Sequence, residues 1–153
     1  KGLSAPVGSI ICGSEEFIYH ARRNRKALGG GMRQAGIIAA AGIVSLDNMI
    51  SRIQEDHKNA QLLAEGIIHI DGLSIDRENI KTNILYFDIE KGKDSGEELA
   101  RKTNNIEIYP LEIALDNIRF FESSPGRFRL VTHYGITKND IEKVLASLKN
   151  MVK

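Results

Sequence analysis

The triplet Gly29–Gly31 limits the fold of this chain more than any other feature. Three consecutive glycines cannot easily continue a helix, so the helical patterns on either side must be separate elements. Upstream, Ser14 is a suitable N-cap, and Glu15 and Glu16 sit where they suit the positive end of a helix dipole. That helix places Phe17, Ile18 and Ala21 towards a core and gathers Arg22, Arg23, Arg25 and Lys26 near its C-terminus. Before it, Val7 to Gly13 reads as a buried strand.

Downstream, a helical pattern runs from Met32 to Ile68. Leu46, Ile50, Ile53, Ala60, Ala64 and Ile67 recur at spacings of three, four or seven, which marks one buried stripe. The opposite face holds Arg52, Glu55, Lys58 and Asn59. The early stretch AGIIAAAGIV is apolar nearly all round, so burial on several sides is expected there. A single helix of about 37 residues is long for a globular protein, and a break is expected near Ser45 to Asn48.

From Leu73 the character changes. Thr82–Ile89, Ile106–Pro110 and Arg127–His133 have strand lengths and strand patterns, and Ser95–Lys102 reads as a short helix between them. The last segment opens with Thr137 as N-cap and carries Ile141, Val144, Leu145 and Leu148 on one face. The expected organisation is a first part over residues 1–68, ending in the connecting helix, and a small α+β lobe over 69–153.

Charge and cysteine content narrow the chemistry. The 21 Lys and Arg nearly cancel the 20 Asp and Glu, which gives no reason to expect nucleic acid or an anionic membrane as partner. Cys12 is the only cysteine, so no internal disulfide forms, and a reducing, cytoplasmic setting is expected. The longest apolar stretch, Ala35 to Leu46, falls well short of the roughly 20 residues that cross a bilayer. No two histidines have H-x-x-x-H spacing, and no G-x-S-x-G elbow is present.

Three places can carry chemistry. Lys1 stands on a small-residue turn with Gly2 and Ser4, ahead of the apolar run. A lysine is a nucleophile only as the neutral amine; its ordinary pKa is about 10.4, and desolvation lowers it enough for Schiff-base chemistry. A solvated terminal charge is the alternative. The second place is RKALGGGMRQ, where Lys26 and Arg33 flank glycines that open a helix and so offer an anion site. A plain helix break with basic caps accounts for the same residues, and no Gly-Lys-Ser/Thr follows to make a Walker A loop. The third is Arg129, expected to be partly buried between Phe128 and Leu130 and to need a carboxylate or phosphate partner. That partner is either a ligand or an internal acid such as Glu122.

Five blocks in order, KGLSAPVGS, RKALGGGMRQAGIIAAAG, QEDHKNAQLLAE, KTNIL and RLVTH, closely resemble the C-terminal half of low-specificity L-threonine aldolases. These belong to the β-eliminating lyase group of fold-type-I pyridoxal-phosphate enzymes. The resemblance covers essentially the whole chain and is weakest from Glu90 to Glu122. It implies an α/β fold comprising the end of the large-domain sheet, the long connecting helix and the small C-terminal lobe. It implies pyridoxal 5'-phosphate as cofactor, a β-hydroxy amino acid as substrate, and a homo-oligomer. By the same resemblance Lys1 forms the Schiff base with the cofactor, Arg129 grips the substrate α-carboxylate, and Lys26 and Arg33 line the cofactor pocket. Ser4 stands where the family more often has glycine or another small residue.

In that family the residues that pair the pyridine nitrogen, stack on the ring and build most of the phosphate cup precede the lysine. The chain is therefore expected to be a fragment beginning at the Schiff-base lysine, inactive alone. Another lyase or an amino-acid racemase of the same fold, or a cofactor-free interaction lobe, are the alternatives.

Overall fold

Local signals dominate the first helices. In the computed structural model, which describes residues 2–90, 112–115, 118–124 and 126–152, two compact units span residues 1–53 and 54–153. In the first unit, helix α1 (Glu15–Ala27) starts where the Ser14 side chain accepts the Phe17 N–H at 3.3 Å. It stops at the glycines: Gly29 takes a left-handed φ of +84°, and the Gly30 N–H bonds back to the Arg25 carbonyl at 2.8 Å. Helix α2 (Gly36–Asn48) follows, with Ala35 as an N-cap that gives no side-chain bond.

Three expectations for this unit are corrected. Residues Val7–Gly13 join no strand ladder, and Ile10, Ile11 and Cys12 are exposed. A strand is completed only by a partner, and none lies beside this run among the described residues. Phe17 is exposed rather than in a core, while Ile18 and Ala21 are half-buried. On α2, Ile37, Ile43 and Val44 are 79%, 59% and 60% exposed despite their all-round apolar setting. Two helices without a sheet supply no second layer to cover them.

The second unit holds the core. Helix α3 (Ile53–Ile68) buries Ala60, Ala64 and Ile67, the second half of the predicted stripe, and Leu63 beside them. Leu46 and Ile50, in its first half, are exposed. The expected break in the long helix exists and falls just beyond Asn48, at Met49–Arg52. After α3 come strands β1 (Leu73–Ile75), β2 (Ile84–Ile89), β3 (Glu112–Leu115), β4 (Ile118–Ser124) and β5 (Arg127–Val131), then helix α4 (Lys138–Met151). The sheet is antiparallel throughout, in the order β1-β2-β5-β4-β3. The chain is thus mixed α/β, with its described sheet in the second unit. Residues of the expected helix Ser95–Lys102 and strand Ile106–Pro110 lie outside the described residues.

One face of the sheet packs on the helices. Leu85, Phe87 and Ile89 from β2, Phe120 from β4 and Phe128 from β5 meet Ala60, Leu63 and Ile67 of α3 and Ile141 and Leu148 of α4. Phe87 stacks on Phe128 with centroids 5.3 Å apart and meets Phe120 edge-on at 6.5 Å. At Gly66 a Cβ would overlap the Leu145 side chain, so glycine is what lets that leucine of α4 reach the backbone of α3. Val144 and Leu145 are partly buried on the face of α4 that carries Ile141 and Leu148, as the pattern predicts.

Candidate functional site

The glycine loop is built by its neighbours' side chains. A Cβ on Gly31 would lie 2.5 Å from Lys26 Cδ and 3.0 Å from its Nζ, so Lys26 folds directly over this glycine. The ammonium is thereby held at the loop that joins α1 to α2. The Gly29 and Gly30 N–H groups are used in closing α1, bonding to Lys26 and Arg25 carbonyls. Arg33 is exposed just before the uncapped start of α2, and Gln34 takes a left-handed φ of +50° as the chain enters that helix. Two cations, a glycine surface covered by one of them and an uncapped helix start therefore belong to one segment. That combination suits an anion such as a phosphate monoester.

Lys1 lies outside the described residues. Nearby, Ser4 holds a φ of +61°. Glycine takes this left-handed conformation with least strain, which gives a physical reason for a small residue at that position.

Arg129 is exposed, which corrects the expectation of partial burial. In a strand, side chains alternate: Phe128 is fully buried and Leu130 half-buried on the core face, while Arg127, Arg129 and Val131 project from the other. Glu122 is not its partner either, because that carboxylate accepts the Gly126 N–H at 2.5 Å beside a bulge in β4. The neighbouring arginine is the paired one. Arg127 donates from Nε to Asp88 Oδ1 at 2.8 Å and from Nη2 to Oδ2 at 2.9 Å. The hydrogen bond to Asp88, reinforced by its charge, raises the Arg127 pKa above the ordinary value. Arg129 has no acid partner among the described residues.

What fixes β5 is a buried polar latch that the sequence reasoning missed. Thr132, just past the strand, is fully buried; its hydroxyl donates to the Asp56 carbonyl at 2.6 Å. Its N–H bonds to the Asn83 carbonyl at 2.9 Å, and Asn83 Nδ2 donates to the Thr132 carbonyl at 2.6 Å. Asn59, expected on a solvated face, is buried and donates to the Ile136 carbonyl at 2.9 Å. These residues come from QEDHKN, KTN and VTH. A signal was present: three polar blocks, far apart in sequence, each interrupting an apolar pattern. His133 is exposed, and its Nδ1 lies 2.8 Å from the Tyr134 carbonyl. No group of three or more potential metal ligands occurs among the described residues.

Lys26, Gly31 and Arg33 belong to the first unit and Arg129 to the second. Comparison with known proteins bears on both. The family model for β-eliminating lyases matches residues 1–90. The chain is 40% identical over 146 residues to low-specificity L-threonine aldolase 1 of Arabidopsis thaliana, covering 95% of this chain and 38% of that protein. It is 37% identical over 148 residues to the low specificity L-threonine aldolase of Escherichia coli K12, covering 95% and 39% respectively. The chain thus spans about two fifths of the length of these relatives. Among solved structures, a complex of the cystine C-S lyase C-DES with cysteine persulfide matches with a TM-score of 0.48 at 14% identity, over 76% of this chain and 28% of that one. With the family model matching more than half of its residues, and curated threonine aldolases matching nearly all of it, this chain is a member of the β-eliminating lyase family.

Proposed function

We propose that this chain is the C-terminal part of a pyridoxal-phosphate-dependent aldolase that cleaves L-threonine or L-allo-threonine to glycine and acetaldehyde. Single-chain resemblance to threonine aldolases supports the substrate class. The observation that carries the reading is that Arg129 has no acid partner among the described residues, beside an Arg127 that is paired with Asp88. An exposed arginine with no acid partner among the described residues, on a strand fixed by a buried latch, is prepared for an external carboxylate.

The residues present fit the cofactor by the chemistry of the glycine loop. Lys26 over Gly31, together with Arg33 at the start of α2, would hold the phosphate by charge and by helix-terminal N–H groups. Lys1 would supply the amine that holds the cofactor until the substrate's own amine replaces it. When bound, pyridoxal phosphate supplies an electron sink for the pair released as Cα–Cβ breaks. The contribution of Arg129 is orientation: two parallel N–H bonds to the α-carboxylate fix the rotation of the substrate about its Cα. A homo-oligomeric, cytoplasmic enzyme completes the reading.

Arg129→Lys in the full-length holoenzyme tests it. Lysine keeps the charge and loses the planar fork, so KM for threonine should rise and kcat/KM fall by at least about tenfold. The melting temperature should barely move, because the side chain is exposed and has no acid partner among the described residues. Wild-type kcat/KM, or a large fall in melting temperature with kinetics intact, would contradict the assignment.

A further inference from the structure

The outward face of the β2–β5 pair is a ladder of three rungs. Asp88 stands opposite Arg127, Tyr86 opposite Arg129, and Ile84 opposite Val131. The first rung is a closed bidentate ion pair. The second holds a guanidinium with no acid partner among the described residues, beside an exposed phenol. The third is apolar and exposed. Arg127 and Arg129 are next-but-one neighbours on a strand, so their Cα atoms are about 7 Å apart on the same face.

Charge counting on this face has a consequence for substrate choice. Two free guanidinium groups in a row would suit a ligand with two carboxylates. Asp88 opposes that by neutralising the charge of Arg127 and taking its Nε and one Nη2 donor. Fold stability gives little reason for the pair, because its side chains are 52% and 39% exposed and exposed ion pairs contribute little. Its effect on which charges the face presents is large by comparison.

We infer that Asp88 is a specificity-determining residue: by engaging Arg127 it leaves one guanidinium for one carboxylate, and so restricts the site to β-hydroxy amino acids with uncharged side chains. The inference rests on the reading of Arg129 as holder of the α-carboxylate. A substrate anchored there has the Asp88 rung on one side and the Ile84–Val131 rung on the other. A second carboxylate meets a closed ion pair with no net charge in the first direction and apolar surface in the second, and neither stabilises an anion. The methyl group of threonine is compatible with the apolar rung.

The test compares L-threonine with L-β-hydroxyaspartate, followed by glycine release, in the full-length holoenzyme. Wild type, Asp88→Asn, Asp88→Asn with Arg127→Gln, and Arg129→Lys are measured side by side. The kcat/KM ratio of the dicarboxylate to threonine should rise at least about tenfold in Asp88→Asn, where Arg127 is released. It should return close to the wild-type ratio in the double variant, where the released cation is gone. An unchanged ratio in Asp88→Asn, with threonine turnover lost in Arg129→Lys, overturns the role of Asp88 and leaves that of Arg129 standing. A rise that persists in the double variant also overturns it, because Arg127 is then not the group set free. Wild-type threonine turnover in Arg129→Lys removes the reading of Arg129 and the inference with it.

Discussion

At Gly31 a single added carbon decides where Lys26 can go. The Cβ of alanine would sit 2.5 Å from Lys26 Cδ, inside van der Waals contact, while the helix backbone is untouched. The lysine side chain is flexible and exposed, so it moves aside at small cost to stability. What it loses is its place over the loop. Gly31→Ala in the full-length protein should therefore weaken pyridoxal-phosphate affinity by roughly tenfold, the scale of one charge-assisted contact of about 1.5 kcal/mol. Titration of the apo-enzyme with cofactor measures this, and thermal unfolding of the apo-enzyme should show almost no change. Unaltered affinity would return the segment to a helix break with basic caps. Arg129 teaches a related lesson about single residues. Strand alternation was legible, with Phe128 and Leu130 on the face opposite Arg129; what flanking apolar residues wrongly suggested was partial burial of the arginine itself.

Among the elements, α4 has the most complete start. Thr137 accepts the Asp140 N–H at 3.3 Å, and the Asp140 carboxylate in return accepts the Thr137 N–H at 3.0 Å. The Thr137 hydroxyl donates to the same carboxylate at 2.7 Å. The Thr137 side chain first, then its backbone N–H, holds the Asp140 carboxyl below its ordinary value of 3.8. A carboxyl lowered on folding stabilises the fold above its unfolded pKa, and that contribution is lost as pH falls through the folded value. Stability measured by circular dichroism should thus decline on the acid side, below about pH 4, and Asp140→Asn should flatten that part of the decline. An identical acid profile in the variant would refute the coupling. This cap, and the start and stop of α1, were legible in the sequence because both signals lie within a few residues of the helix end. Strands β2 and β5 were legible from their patterns. Strand β4 was hidden because a half-buried Glu122 follows Phe120 on the core-facing side and a register shift follows it, and β1 is only three residues long. The Val7–Gly13 run failed for the opposite reason: its composition suits a strand, but pairing is non-local and composition does not supply a partner. The latch around Thr132 was unreadable as a unit, since Asp56, Asn83 and Thr132 meet only after the sheet has formed on α3.

Across the whole molecule, core and chemistry are divided unequally. Every buried hydrophobic residue of the core cluster lies between Ala60 and Met151, in the second unit, together with Arg129 and its latch. The first unit carries the glycine loop, Lys26 and Arg33 on largely exposed helices. The β-eliminating lyase match over residues 1–90 extends across both units, so the family's pattern reaches the glycine loop and the strand paired with β5 alike. The central claim is that Lys1 links this chain to pyridoxal phosphate in an enzyme acting on threonine. Lys1→Ala in the full-length protein tests it most directly, by the visible absorbance of lysine-bound cofactor and by glycine release from L-threonine in the same sample. The account predicts loss of the absorbance band and a fall in turnover of several orders of magnitude. A retained band with near-normal threonine cleavage would contradict it.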